Sequence, residues 1–91
     1  MQMYYRINKG LIFQKIGKKM TIYNGEDSIL YTLNETASYI FLNIKKGLNI
    51  EDIVGLLVQK YTIPSKKAAK DVESVIKDMK QRSILHSGKS E

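Results

Sequence analysis

Ser28-Ile29-Leu30-Tyr31-Thr32-Leu33-Asn34-Glu35-Thr36-Ala37-Ser38-Tyr39-Ile40-Phe41-Leu42-Asn43-Ile44 contains the change of hydrophobic period that decides the architecture. Up to Leu33 the residues alternate. Ile29, Tyr31 and Leu33 share one face, and Ser28, Leu30 and Thr32 share the other, as in a pleated strand rich in β-branched and aromatic residues. Beyond it, Ala37, Ile40, Phe41 and Ile44 recur at helical spacing. Asn34 stands at the switch, where its side chain can cap a helix, and Glu35 follows where the helix N-terminus favours negative charge. Gly47 supplies a C-terminal stop.

Upstream, Leu11–Ile16 and Lys19–Tyr23 read as two more strands joined by Gly17-Lys18. Glycine at the first central position suits a two-residue II′ turn. Asn24-Gly25-Glu26-Asp27 is a further turn signal leading into the quoted strand. The result is a three-strand meander whose third strand is an edge. Downstream, Asn49 is placed to cap a second helix, with Glu51 and Asp52 in its first turn and an apolar stripe of Ile50, Ile53, Val54, Leu57 and Tyr61. Pro64-Ser65 breaks the chain, and Ser65 is expected to cap a third helix. On that helix Ala69, Val72, Ile76 and Met79 line one face with Val75 beside them, and Ile84 and Leu85 pack back after it. This order predicts an α+β fold, winged helix-turn-helix-like, with a three-stranded antiparallel sheet packed on three helices. A single domain is expected over residues 1–86, followed by a frayed polar tail over 87–91.

With 91 residues there is room for one core, and a chain of this size buries about two-thirds of its unfolded surface. A composition of 43% hydrophobic and 26% charged residues is that of a globular protein. Cysteine is absent, which excludes disulfides and thiolate metal sites. The apolar runs fall far short of the ~20 residues of a membrane helix, and Met1–Gly10 has no apolar stretch of the signal-peptide kind. Cytoplasmic residence without membrane attachment is the expectation. The net charge of +6 is concentrated at the two ends. Residues 1–33 hold five cations and two acids, 34–63 three of each, and 64–91 seven cations and four acids. An acidic partner is favoured, whether peptide, protein or nucleic acid.

Catalytic signatures are missing, so the chain reads as no enzyme and as needing no cofactor. The one histidine, His86, has only Ser83 and Ser87 near it in sequence and reads as a solvated tail residue. Glu26-Asp27 falls in a turn and Glu51-Asp52 in a helix first turn, where structure alone explains the charge. Neither a phosphate-binding loop nor a metal-ligand spacing occurs. Among the aromatics, Phe13, Phe41 and Tyr61 follow apolar patterns and belong to the core, while Tyr4, Tyr5 and Tyr23 are the candidates for exposure.

Two candidate binding surfaces remain. The first is the edge of the third strand, which contains Leu30, Tyr31 and Thr32 and neither proline nor lysine. An unblunted edge of this kind accepts a strand from a peptide unless something covers it. The third helix or the Tyr4–Ile7 segment are the candidates for such a cover. The second surface is the start of the third helix, Lys66, Lys67 and Lys70, which in a DNA-binding winged helix would contact phosphates. Asp71, Glu73 and Asp78 share that helix, and no Arg, Asn or Gln in its first two turns is placed to read bases. A solvated lysine face is the simpler reading, and nucleic acid is not the favoured partner.

Several of these pieces form a familiar order. Leu33-Asn34-Glu35-Thr36-Ala37 is followed by Ile40-Phe41, Gly47, Ile50-Glu51-Asp52-Ile53, Leu57 and Tyr61, then Ala69-Lys70-Asp71-Val72, Met79 and Ser83-Ile84-Leu85. This resembles the PqqD-like family, the RiPP recognition elements of peptide natural-product pathways, over roughly residues 10–85. Phe41 stands where the family often has Trp, Met79 where Leu is common, and Ser83 where glycine is frequent. The resemblance implies a domain that binds the leader of a ribosomally made precursor peptide as a further antiparallel strand. Carried onto this chain, the edge is Asp27, Ser28, Ile29, Leu30, Tyr31, Thr32 and Leu33. The cleft wall is Val72, Val75, Ile76, Met79 and Arg82, and Lys77 and Arg82 are placed to meet acidic leader side chains. A separate peptidase, cyclase or other modifying enzyme is the implied second partner.

Overall fold

The structure, a computed structural model, describes residues 4–88. Its elements are β1 (Tyr4–Ile7), β2 (Leu11–Ile16), β3 (Lys19–Asn24), β4 (Ile29–Leu33), α1 (Glu35–Lys45), α2 (Ile50–Tyr61), α3 (Ser65–Gln81) and β5 (Leu85–Gly88). Strands β2, β3 and β4 form the expected antiparallel meander in that order. The α+β architecture with three helices follows as read from the sequence.

Gly17 takes a φ of 62° while Lys18 is not among the positive-φ residues, which is the II′ pattern, and Ile16 pairs with Lys19 across the turn. The second turn is longer than its Asn-Gly pair suggests, because Asn24 pairs with Ile29. There Ser28, not Gly25, occupies the left-handed region, at φ 54°. Asn24 holds the turn from inside, accepting from the Glu26 N–H at 3.1 Å and donating to the Asp27 carboxylate at 3.2 Å.

Inner side chains of the meander meet α1. Met20, Ile22 and Leu33 are buried with Ala37, Ile40, Phe41 and Ile44, and Phe13 meets Phe41 edge-on with ring centroids 5.5 Å apart. Helices α2 and α3 close the other side through Ile53, Leu57, Ala68, Val72, Ile76 and Met79. The buried alanine of α3 is Ala68, whereas Ala69, expected in the stripe, is exposed. Ile84 and Leu85 are buried as expected.

Asn34 and Asn49 cap their helices as read, accepting from the N–H of Ala37 and of Asp52 at 2.8 Å in each case. Ser65 does not cap α3. It is the first helical residue, Pro64 takes the cap position, and no side chain bonds there. The two asparagine caps differ in exposure: Asn49 is 4% exposed, while Asn34 is open to solvent. Asn49→Ala is therefore expected to cost about 1–2 kcal/mol and Asn34→Ala about 0.5–1 kcal/mol, because truncating the buried Asn49 removes packed side-chain atoms along with the cap, whereas Asn34 loses the cap alone. Thermal melts followed by circular dichroism check the order, and equal shifts would count against it.

An element not anticipated as a strand pair joins the two ends of the described chain. β1 pairs antiparallel with β5, bringing Arg6 opposite His86 and Tyr5 opposite Ser87. His86 is exposed, as expected, but it sits in a strand and is hydrogen-bonded to the Asn8 side chain rather than lying in a free tail. Ser87 and Gly88 also belong to this strand, and the remainder of the expected tail, 89–91, lies outside the described residues.

Candidate peptide-binding edge

Among the described residues β4 pairs only with β3. Neither candidate cover lies over it. The Tyr4–Ile7 segment is committed to β5, and Ile29 and Leu30 remain 42% and 63% exposed. Which backbone groups the open edge presents follows from the register. A two-residue hairpin closes on a hydrogen-bonded pair, here Ile16 and Lys19, and hydrogen-bonded pairs then alternate along the ladder. Thr21 and Tyr23 accordingly direct their backbone groups to β2, and Met20, Ile22 and Asn24 direct theirs to β4. Their partners Leu33, Tyr31 and Ile29 are consumed by β3. The N–H and C=O of Leu30 and Thr32 therefore face outward, free to take up an added strand.

Side chains on the two faces of β4 differ. Ile29, Tyr31 and Leu33 point inward, with Leu33 buried and Tyr31 half-buried. Tyr31 reaches the end of α3, where the Arg82 guanidinium lies 5.0 Å from its ring centroid and its hydroxyl donates to the Arg82 carbonyl at 3.4 Å. Arg82 is also paired with Asp78 at 3.0 Å, both half-exposed, so the pair adds little stability by itself. Val75 lies two helical turns before Arg82 and hence on the same stripe of α3. Tyr31 and Arg82 thus stand together on the inner side of the open edge.

The cleft residues expected from the sequence are thus divided by the structure. Asp27, Ser28, Ile29, Leu30, Tyr31, Thr32 and Leu33 do lie together along the edge and its entering turn. Arg82 stands beside it through Tyr31, and Val75 is half-buried against the core. Val72 and Met79 are fully buried in the core and do not reach the surface. Ile76 and Lys77 lie on the opposite flank of α3, where a groove of ≈ 570 Å³ is lined by Tyr5, Ile50, Val54, Ala69 and Ile76 with Lys77 and Lys80 at its rim. Neighbouring helical residues such as Val75 and Ile76 point about 100° apart, and no local pattern reports which of them faces the sheet.

The lysines that open α3 form no concentrated cationic surface. Lys67 is tied to Asp71 at 3.4 Å, and Asp71 and Glu73 border the same shallow depression as Lys66, Lys67 and Lys70. Tyr61, on α2, donates to Glu35 at 3.3 Å, and burial, followed by the charge of Glu35, holds its phenol above the usual value. It stays neutral and structural. No group of three or more His, Cys, Asp or Glu residues placed to hold a metal ion occurs among the described residues, and none of their helices is long and apolar enough to cross a membrane.

The family model described as coenzyme PQQ synthesis protein D (PqqD) matches residues 19–85. No curated protein matches the chain. Among solved structures, the chain is similar to TbiB1 in complex with the TbiA(beta) leader peptide, with a TM-score of 0.86 at 15% identity over 94% of this chain and 99% of that one. It is also similar to lasso peptide synthetase B1 complexed with the leader peptide, with a TM-score of 0.84 at 18% identity over 90% of this chain and 96% of that one. At such identities the likeness is one of fold.

Proposed function

The chain belongs to the PqqD family, and from that premise we propose that it captures the leader of a ribosomally made precursor peptide as an added strand on β4. The observation that carries this reading is the open edge itself, with the outward backbone groups of Leu30 and Thr32 and a half-buried Tyr31 behind them. Two proteins of the same fold are described in complex with leader peptides. In this reading the protein makes and breaks no bond. It holds the leader so that the rest of the precursor is presented to a separate peptidase, cyclase or other modifying enzyme in the cytoplasm. The gain is one of effective concentration, set by the length of chain between the leader and the reacting residues.

A fluorescein-labelled leader of a candidate precursor peptide is the ligand to titrate, with anisotropy as the readout. Binding at micromolar concentration or tighter is expected, and it should weaken only modestly between low and moderate salt. Strand addition rests on backbone hydrogen bonds and apolar contact, whereas binding to phosphates falls steeply with salt. A protein that ignores the leader and instead retains a DNA duplex in a salt-sensitive way would overturn the reading in favour of a DNA-binding winged helix.

A further inference from the structure

The outer face of the meander is divided into bands by its register. Ile12 pairs with Tyr23 and Tyr23 with Leu30, and all three side chains point away from the helices, so an apolar rung crosses the whole sheet. These residues are 66%, 39% and 63% exposed. The adjacent rung, Gln14, Thr21 and Thr32, is polar throughout. Single exposed apolar residues are ordinary on a protein surface. Here three are aligned on one rung, and the rung ends on an unpaired edge with Leu30 outermost.

We propose that this rung reads the outward side chain of the captured strand, so that the protein selects leaders whose residue facing Leu30 is apolar and whose residue facing Thr32 is polar. The inference rests on strand addition at β4. A residue directly across from Leu30 places its Cβ about 4.5–5.5 Å away and covers the exposed leucine, extending the apolar rung to a fourth strand. The neighbour across from Thr32 extends the polar rung instead. An antiparallel strand passes Thr32, Tyr31 and Leu30 in that order. The selected signature, read from its N-terminus, is therefore a polar residue facing out, an apolar residue facing in beside Tyr31, and an apolar residue facing out. The edge thus specifies the outer face of its ligand as well as the inner one.

Random dodecapeptides displayed on phage, selected on the full chain, supply the test. The strongest binder is resynthesised, and intermolecular NOEs to the Leu30 and Thr32 side chains give its register. Changing its residue opposite Leu30 from apolar to serine is expected to weaken binding about 2- to 5-fold, the range for a cross-strand pair. The same change measured on Leu30→Ser protein should have almost no further effect, so that the double-mutant cycle shows coupling. Binders that add to β4 but carry polar and apolar residues indifferently opposite Leu30, or a cycle with no coupling, would overturn the inference while leaving strand capture intact. If none of the binders adds to β4, the proposed function itself fails, and the inference with it.

Discussion

Replacing Leu30 with proline is expected to lower affinity for the leader roughly 10- to 100-fold while the protein stays folded. The proline ring removes an N–H that the register directs to the open edge, where an added strand would accept from it. The partner's carbonyl is then left without its donor, and such a loss costs about 1–3 kcal/mol. The ring also obstructs close approach of the strand. The ladder to β3 is spared, because Ile29, Tyr31 and Leu33 supply it. Proline is tolerated on edge strands whose N–H faces away from the sheet. Thr32→Pro should act in the same direction, whereas Tyr31→Pro removes a donor to β3 and should destabilise the meander itself. Circular dichroism melts sort folding from binding, and anisotropy measures the rest. A folded Leu30→Pro protein that binds the leader as tightly as the unaltered one would rule out strand addition at this edge.

Most of what positions that edge is written locally. The period change at Leu33-Asn34, the Gly17-Lys18 turn and the two asparagine caps each depend on residues within a few positions of one another, and each appears in the structure where the sequence places it. The features that were not legible depend on distant pairing or on phase. Ala68 and Ala69 both stand at helical spacing from Val72, Ile76 and Met79, so periodicity cannot choose between them; tertiary packing places Ala68 in the core. The pairing of Tyr4–Ile7 with Leu85–Gly88 joins two four-residue strands from opposite ends of the chain. Each is too short and too mixed in polarity to announce itself.

That distant pairing has a functional consequence. With β1 held by β5, the segment best placed in sequence to cover β4 is used elsewhere, and the edge is left open. On the cleft, by contrast, the resemblance supplied a wall that includes Ile76. Here Ile76 faces α2, lining a groove with Ile50 and Val54, and Arg82 stands beside Tyr31. Of the expected wall residues, Arg82 is the one in contact with Tyr31, while Val72 and Met79 lie in the core.

Phe41 packs between α1 and the sheet that presents this edge, and Phe41→Ala is expected to be the most destabilising single truncation. Its side chain is fully buried and meets Phe13 of β2 edge-on. Removing a buried phenylalanine costs about 3–5 kcal/mol, as lost transfer energy plus the cavity left behind. Domains of this size have a total stability of roughly 5–14 kcal/mol, so the loss is a large fraction of the whole. A fall in Tm of roughly 15–30 °C should accompany it. Phe41→Trp adds volume and should cost less, about 1–3 kcal/mol, as the pocket shifts to accept the larger ring. Ile12→Ala, on the exposed outer face of the same sheet, should change stability by less than about 0.5 kcal/mol. Melts of the three proteins in parallel check the order. An Ile12→Ala protein as unstable as Phe41→Ala would mean that the outer face of the meander is not free, and both the open sheet and the selection by its apolar rung would have to be abandoned.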